Sequence, residues 1–226
     1  MAAATIVFDL DGTLVDTHPD LIGTLSWLLE EEGLDAIDLE AAKKLIGHGM
    51  RPMVENALKL KGRGFDKEEV DAVFARYIAV YETRLTRESR PFPGMIEALD
   101  RLADQGMTLA VCTNKVERLA KKLLDELDMS RRFAVIAGAD TYGVRKPDPG
   151  HLLMTLRDAG GDPTRAVMVG DSDTDIRAAQ GAGVPVVAYS GGYTAIPLSS
   201  LDPDVIIDHY DVLPDTVGRL LSSPKV

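Results

Sequence analysis

The sequence predicts an α/β fold: a Rossmann-like parallel sheet with helices on both faces, plus a smaller block of helices inserted into it. From residue 92 onward, short apolar strands alternate with helical patterns, and one further apolar strand precedes them near the start of the chain. Between these parts, residues 16–90 show helical patterns without a strand pattern. Strands that alternate with helices typically form a parallel sheet whose two faces are both covered.

The predicted strands are short and almost wholly apolar, as expected of strands that are buried on both faces. Polar residues, glycine and proline bound them and favour turns there. Six stretches fit this description: 5–9, 107–114, 133–140, 165–171, 184–190 and 204–208. The stretches between them carry apolar residues at helical spacing. We predict helices over 115–127, 148–160, 174–183 and 211–221.

Four helical patterns fill the inserted block, near 20–33, 39–47, 51–62 and 66–88. The block leaves the core just after the first strand and returns at "RPFPG" (90–94), whose prolines favour an extended linker. We therefore predict a core formed by 1–15 and 91–226, and a helical cap formed by 16–90 that lies over the end of the first strand.

Composition and charge exclude several kinds of partner. Of the 226 residues, 45% are hydrophobic and 27% are charged, which is typical of a globular protein. The net charge of −11 repels nucleic acid and anionic membranes, so we expect neither as a partner. The single Cys112 excludes an internal disulfide, and we find neither a membrane span nor a signal peptide. We expect a cytoplasmic protein.

Polar residues cluster where predicted strands end, in "DLDGT" (9–13), "TN" (113–114), "RKPDP" (145–149) and "GDSDTD" (170–175). In open α/β sheets the carboxyl ends of the strands line the ligand crevice, so these segments should converge. Asp9 and Asp11 follow a buried strand one residue apart, and two desolvated carboxylates need a cation beside them. The pattern favours a metal or a reacting group at this place over a surface turn.

Common alternatives for these motifs do not fit. An EF-hand interpretation of "DSDTD" requires Gly and Glu where the chain has Ile176 and Ala182. The chain has neither a nucleotide P-loop nor a Ser in a G-x-S-x-G elbow. "GHGMRP" (47–52) lacks the third glycine of a dinucleotide fingerprint.

The four segments together resemble the motifs of the haloacid dehalogenase superfamily, over essentially the whole chain. "DxDGT", Thr113, Lys146 and "GDxxxD" occur in the family's order, and the helical block occupies the position of its small cap domains. The family's dehalogenases lack an acid two residues after the nucleophile, whereas Asp11 is present here. The resemblance therefore implies a phosphatase that hydrolyses a small phosphate monoester through an aspartyl-phosphate intermediate.

The resemblance also implies a role for each motif residue. Asp9 is the expected nucleophile, and Asp11 is the expected general acid in the first step and base in the second. The expected cofactor is Mg²⁺, bound by Asp9, Asp171 and the backbone carbonyl of Asp11, with Asp175 binding the ion or holding its waters. Three further residues are expected to bind the phosphoryl oxygens during catalysis: Thr113, Asn114 and Lys146.

Within the superfamily, the chain resembles bacterial phosphoglycolate phosphatases. The shared segments include "HPDLIGTLSWLLEEEGL", "IGHGM", "TNK", "KPDP", "VGDSDTD" and "GGY". This resemblance implies that a small phosphorylated metabolite, 2-phosphoglycolate, is hydrolysed to glycolate and phosphate. In capped members a loop between cap helices contributes to substrate selection. His48, Gly49 and Arg51 lie in such a loop, where the planar guanidinium of Arg51 could match a substrate carboxylate.

Other activities stay open on the sequence. Relatives with similar caps hydrolyse pyrophosphate or sugar phosphates, and β-phosphoglucomutase returns the phosphoryl group to a sugar. Phosphonoacetaldehyde hydrolase needs a cap lysine, and nothing distinguishes Lys43 or Lys44 for that role. A non-catalytic binding protein would not need Asp9 and Lys146, yet both are present. The sequence does not predict the oligomeric state.

Overall fold

A computed structural model describes residues 3–36, 49–60, 62, 66–194 and 196–222. The described residues form eight strands: β1 (Thr5–Phe8), β2 (Val15–Asp16), β3 (Arg90–Pro91), β4 (Thr108–Cys112), β5 (Val135–Ala137), β6 (Ala166–Gly170), β7 (Val186–Tyr189) and β8 (Val205–Ile207). They also form eight α-helices: α1 (His18–Glu31), α2 (Met50–Leu60), α3 (Lys67–Tyr81), α4 (Met95–Asp104), α5 (Glu117–Glu126), α6 (Pro149–Asp158), α7 (Asp173–Ala182) and α8 (Leu213–Ser222). No described helix has both the length and the apolar character needed to cross a membrane.

Six of the strands form one parallel sheet in the spatial order β5-β4-β1-β6-β7-β8. In the chain order of these six strands this is 3-2-1-4-5-6, the doubly wound order in which ligands bind where the strand order reverses. All six predicted strands are confirmed, and the observed strands are shorter than predicted. The stretch 133–140, for example, contributes only Val135–Ala137.

Helices cover both faces of the sheet, as the sequence predicted. Successive side chains of a strand point to opposite faces. In β1, Ile6 and Phe8 therefore belong to one buried cluster and Val7 to another. The first cluster includes leucines of α4, α5 and α8, namely Leu99, Leu119 and Leu213. The second includes residues of α6 and α7, namely Leu152, Leu156 and Ile176. The predicted fold class is confirmed.

Helices α1, α2 and α3 form the inserted block between β2 and β3, and the fourth predicted helix, near 39–47, lies outside the described residues. Helix α3 begins with a capping box, in which Asp66 and Glu69 each accept a hydrogen bond from the other's backbone N–H. Its Tyr77 is stacked on Tyr81 and donates a hydrogen bond to the Leu21 carbonyl of α1, at 3.1 Å. This hydrogen bond joins α3 to α1.

The inserted block leaves and rejoins the core through a short antiparallel ribbon that was not predicted from the sequence. Val15 pairs with Pro91 and Asp16 with Arg90, so the segment expected to be an extended linker is partly a strand. Proline has no backbone N–H to donate to a ladder, so within sheets it is confined to edge positions such as this one. The Asp20 carboxylate of α1 also accepts hydrogen bonds from Ser89 N (2.8 Å) and Ser89 Oγ (2.6 Å). Both ends of the block are therefore held together.

Helix α4 was also missing from the sequence prediction, although its signal was present. Met95, Ala98, Leu99 and Leu102 follow the spacing of one helical face, and all four are buried. These residues lie between the proline-rich segment and the next strand. For this part of the chain the sequence was only said to alternate strands with helices, and no helix was given bounds there.

Candidate active site

The register of the central strands brings three sequence-predicted residues to one edge of the sheet. Phe8 of β1 is aligned with Val111 of β4 on one side and with Val169 of β6 on the other. The next residues along these strands lead to Asp9, Thr113 and Asp171, each just beyond its strand's end. This is the place where the strand order reverses, so the predicted crevice lies there.

Asp9 is held at the end of β1 and is largely removed from solvent. Its backbone N–H donates to the Val169 carbonyl at 2.9 Å, and the residue is 8% exposed. Its carboxylate Oδ1 lies 2.8 Å from Lys146 Nζ. Burial raises the pKa of Asp9 to about 7, although the Lys146 ammonium opposes this rise. A second cation beside Asp9 would favour its charged form.

Lys146 connects Asp9 to Asp175. Its ammonium, only 1% exposed, donates a 2.6 Å hydrogen bond to Asp175 Oδ1 as well as pairing with Asp9. Burial opposes the charged form, yet Asp175 and Asp9 outweigh it and raise the pKa of Lys146. The other oxygen of Asp175 accepts hydrogen bonds from Ser172 N at 3.0 Å and Ser172 Oγ at 2.6 Å, at the first turn of α7. Asp175 is therefore fixed by the loop and positions Lys146.

Asp171 lies beside Asp9 and is fixed by two donors from distant parts of the chain. Its Oδ1 accepts from Thr13 Oγ1 at 2.7 Å, and its Oδ2 accepts from Tyr193 N at 2.8 Å. Burial, reinforced by the charges of Asp175 and Asp9, raises the pKa of Asp171 well above its usual range. The carboxylate is thus oriented while much of its negative charge is uncompensated by protein groups.

Two glycines let the backbone approach Asp171 closely. Gly12 has φ +86°, and a Cβ atom there would lie 2.5 Å from Asp171 Oδ2. A Cβ atom at Gly192 would lie 2.2 Å from Asp171 Cβ. Any side chain at either position would displace the carboxylate, so both glycines are required by close approach rather than by turn geometry alone.

The carboxylates fit a divalent cation with a preference for oxygen ligands. Asp9, Asp171 and Asp175 each offer an oxygen, and these oxygens all lie within 4.8 Å of one another. Among the described residues, Lys146 is the one ammonium that pairs with these three buried carboxylates, and both oxygens of Asp175 already accept hydrogen bonds. A hard cation such as Mg²⁺ suits this oxygen-rich donor set, and its charge would offset the excess of carboxylates.

Thr113 and Asn114 lie in the loop that follows β4, next to Asp9. Thr113 is buried, and its Oγ1 accepts a hydrogen bond from Lys115 N at 3.2 Å. The side-chain amide of Asn114 donates to the Lys146 carbonyl at 3.1 Å, so in this structure it holds the Lys146 segment. Both residues line the same pocket as Asp9.

That pocket lies between the sheet edge and the inserted helices. The core contributes Asp9, Asp11 and the loop 113–115, while the inserted block contributes an apolar wall and one backbone segment: Leu21, Met50, Met53 and Gly49. A Cβ atom at Gly49 would lie 3.6 Å from the Asn114 carbonyl, so the inserted block approaches the core loop directly. A small polar substrate would be enclosed between these walls.

The three predicted cap-loop residues have different positions. Gly49 lines the pocket. Arg51 is not among the lining residues; its guanidinium pairs with Asp71 and Glu55 and lies over the Phe74 ring, 5.2 Å from the centroid. His48 lies outside the described residues. The predicted role of Arg51 in binding a carboxylate would require it to leave its present partners.

Comparison with known proteins identifies the family. The family model of haloacid dehalogenase-like hydrolases matches residues 6–189. The chain belongs to this family. Its phosphatases generally use Mg²⁺, in keeping with the buried aspartate cluster.

Similar curated members of the haloacid dehalogenase-like hydrolases include two phosphoglycolate phosphatases. The one from Mesorhizobium japonicum is 46% identical over 213 residues, 94% of each chain. The one from Agrobacterium fabrum is 45% identical over 217 residues, 96% of this chain and 93% of the relative. The crystal structure of a predicted phosphoglycolate phosphatase from Haemophilus somnus has 30% identity and a TM-score of 0.88, covering 95% of this chain and 97% of that one.

Two residues that contact the site of this haloacid dehalogenase-like hydrolase were not predicted from the sequence. Lys115 donates to both oxygens of Asp11, at 2.8 and 3.0 Å, although only its membership in "TNK" was noted. Tyr193 fixes Asp171 through its backbone, while its hydroxyl donates to Asp16 Oδ1 at 2.5 Å and accepts from His18 N at 3.0 Å. In the sequence, the one indication of a role for Lys115 or Tyr193 was that each lies in a short segment shared with bacterial phosphoglycolate phosphatases.

Proposed function

We propose that this protein is a Mg²⁺-dependent phosphatase that hydrolyses 2-phosphoglycolate to glycolate and phosphate through a phosphorylated Asp9. The observation that carries the proposal is the convergence of Asp9, Lys146 and Asp171 at the point where the sheet order reverses. The relatives named phosphoglycolate phosphatase, with up to 46% identity over almost the whole chain, support the choice of substrate.

In the proposed reaction, Asp9 is the nucleophile and Asp11 transfers the protons. An oxygen of Asp9 attacks phosphorus while the bond from phosphorus to the ester oxygen breaks, and Asp11 donates a proton to that oxygen. Asp11 then accepts a proton from a water molecule, whose oxygen attacks phosphorus. The bond to Asp9 breaks, phosphate leaves and both carboxyl groups return to their starting states.

The positive charge that stabilises the phosphoryl group comes from a local cluster, because the chain as a whole carries a net charge of −11. Lys146 is the ammonium next to Asp9, and Asp175 fixes its position. Thr113 and Asn114 lie at the same pocket and are proposed to donate to the phosphoryl oxygens. Such preorganised donors act strongly where water is excluded.

The proposed Mg²⁺ ligands are Asp9, Asp171 and the backbone carbonyl of Asp11, with Asp175 supporting the site through Lys146 and the loop. When bound, Mg²⁺ supplies charge that offsets the carboxylates and stabilises the phosphoryl oxygens. Thr13 and the Tyr193 backbone keep Asp171 in the orientation that such a ligand needs.

The inserted helices are proposed to select the substrate. We assign the chemistry to a core of 1–15 and 91–226 and selection to a cap of 16–90, including the loop of His48, Gly49 and Arg51. The ribbon of β2 and β3 lies at the junction of the two parts, which supports this division. Leu21, Met50 and Met53 form an apolar wall of the same pocket as Asp9, which supports a role of the inserted helices in selection.

The proposal is tested by steady-state kinetics of the purified protein with Mg²⁺ on 2-phosphoglycolate, pyrophosphate, β-glucose 1-phosphate and p-nitrophenyl phosphate. We expect the highest kcat/KM on 2-phosphoglycolate, loss of activity with EDTA and recovery when Mg²⁺ is added back. Asp9→Asn should fold and show no turnover. A higher kcat/KM on pyrophosphate or on the sugar phosphate would contradict the assigned substrate, and an active Asp9→Asn protein would contradict the nucleophile.

A further inference from the structure

Besides Lys146, the site holds a second buried ammonium, which lines the pocket. Lys115, in the loop after β4, is 2% exposed as a residue, and its side chain is fully buried. Its Nζ donates to Asp11 Oδ1 at 2.8 Å, to Asp11 Oδ2 at 3.0 Å and to the Tyr81 hydroxyl at 2.8 Å. The proposed chemistry gives this ammonium no task, although burying a charge is costly unless it is paired.

Lys115 also determines where Asp11 points. Both oxygens of the Asp11 carboxylate lie on the ammonium, whereas proton transfer in the proposed reaction requires Asp11 to face the ester oxygen of the substrate. Tyr81, at the end of α3 and stacked on Tyr77, fixes the ammonium from the side of the inserted block. Something in the bound substrate must therefore replace Asp11 on the Lys115 ammonium.

A second anionic group on the substrate needs a cationic partner in the pocket. Among the described residues that line it, Lys115 is the one basic side chain. The wall from the inserted helices is apolar, and Arg51 is engaged by Asp71 and Glu55. A carboxylate cannot be bound by the side chains of Leu21, Met50 or Met53 without losing its hydration uncompensated.

We propose that Lys115 determines specificity by binding the substrate's carboxylate, which replaces Asp11 on the ammonium and leaves Asp11 free to take a proton from solvent and face the ester oxygen. The inference rests on the proposed function and names the residue that recognises the end of the substrate remote from phosphorus. In the substrate-free protein, the Asp11 carboxylate occupies the place that the substrate carboxylate takes.

The covalent geometry of the substrate agrees with this exchange. In 2-phosphoglycolate a single methylene separates the ester oxygen from the carboxylate. Asp11 must lie within about 2.6–3.2 Å of the ester oxygen to transfer a proton. Lys115 Nζ lies within hydrogen-bond distance of Asp11, so the carboxylate one methylene away falls within reach of the same ammonium.

The exchange predicts that the carboxylate contributes to the chemical step as well as to binding. A phosphate monoester without a carboxylate leaves Asp11 on Lys115 and reacts slowly. A carboxylated substrate releases Asp11, so it should show the higher kcat. Discrimination of this kind uses binding energy to assemble the reactive arrangement.

The test compares 2-phosphoglycolate with ethyl phosphate, which has the same skeleton with a methyl group in place of the carboxylate. In Lys115→Met we expect kcat/KM on 2-phosphoglycolate to fall about 10²–10³-fold, because one partner of a desolvated charge pair is lost. On ethyl phosphate we expect no loss and up to about a 10-fold gain, because this substrate makes no ion pair with Lys115 and Asp11 is no longer held on an ammonium. Lys122→Met is the matched control, because Lys122 binds the Glu82 carbonyl just after α3 and lies outside the pocket. Lys122→Met should leave kcat/KM unchanged on both substrates.

Tyr81→Phe provides a milder variant should Lys115→Met fail to fold. It removes one hydrogen bond to the ammonium and should lower kcat/KM on 2-phosphoglycolate alone, by about 3–10-fold. Equal losses on both substrates, or no loss on 2-phosphoglycolate, would overturn the role of Lys115 and leave the phosphatase assignment standing. A wild-type protein that hydrolyses ethyl phosphate but not 2-phosphoglycolate would overturn the substrate assignment and this inference with it.

Discussion

Replacing Gly12 by alanine tests the arrangement around Asp171 from the backbone side. Gly12 has φ +86°, a left-handed conformation that costs an alanine about 1–2 kcal/mol. The new Cβ would lie 2.5 Å from Asp171 Oδ2 and 2.9 Å from the Tyr193 ring. Asp171 must therefore move, which breaks its 2.8 Å hydrogen bond from Tyr193 N at a further cost of about 1–3 kcal/mol.

We expect Gly12→Ala to lower the free energy of unfolding by about 2–5 kcal/mol. For a chain of 226 residues this corresponds to a decrease in Tm of roughly 4–20 °C. A carboxylate displaced by about 1 Å should also lower kcat about 100-fold, because the proposed reaction depends on its position.

Urea unfolding followed by circular dichroism measures the first effect, and hydrolysis of p-nitrophenyl phosphate with Mg²⁺ measures the second. Gly23→Ala is the matched control. Gly23 lies on the exposed side of α1, and a Cβ there meets nothing within 4 Å. Helix propensity should stabilise that variant by about 0.5–1 kcal/mol with full activity. A Gly12→Ala protein with wild-type kcat and stability would refute the close approach of Gly12 to Asp171.

Two further predictions concern Asp11 and a buried histidine. Asp11→Asn should lose more activity on alkyl phosphates than on p-nitrophenyl phosphate, because nitrophenolate leaves without a proton; equal losses would count against the general acid. Burial, aided by the Lys146 charge, lowers the pKa of His151 to about 4, so between pH 6.5 and 4 the unfolded chain binds a proton that the folded protein does not. Acidification across this range should therefore lower the free energy of unfolding of the wild type by about 3 kcal/mol more than that of His151→Phe, as measured by urea unfolding. Free energies of unfolding that fall in parallel with pH in the two proteins would contradict this.

The sequence was sufficient for the sheet and for the residues at its edge. The apolar strands are continuous in sequence, and each polar motif follows its strand directly, so the position of Asp9, Thr113 and Asp171 needed only the strand order. Lys146 lies farther from its strand, yet its place beside Asp9 was expected from the family resemblance and agrees with the 2.8 Å distance.

The contacts across the pocket could not be predicted in this way. Tyr193 and Asp16 are 177 positions apart, and Lys115 and Asp11 are 104 positions apart, so no local pattern connects them. In the sequence, Lys115 is a lysine in the loop after a strand, where most lysines are solvated. Only its burial beside Asp11 in the structure distinguishes it from such a lysine. The two-residue strands β2 and β3 are similarly too short for a periodic signal.

The boundaries of the cap and the roles of its loop stay predictions. Gly49 contributes backbone to the pocket, whereas Arg51 is bound by two carboxylates of the inserted helices. The sequence did not show whether the Arg51 guanidinium faces the pocket or pairs with carboxylates of the inserted helices, because an arginine on the polar face of a helix fits either arrangement.

A direct search for phosphoryl-Asp9 decides whether the carboxylate cluster acts as described. Asp11→Asn should react with p-nitrophenyl phosphate, whose leaving group needs no proton, and then hydrolyse the phosphorylated enzyme slowly. After rapid acid quench, mass spectrometry of the peptide that spans β1 should show a phosphoryl group on Asp9, in larger amount than in the wild type, and none in Asp9→Asn. An unmodified Asp9 in a protein that still turns over, or a phosphoryl group on another residue, would contradict the assignment of Asp9 as the nucleophile.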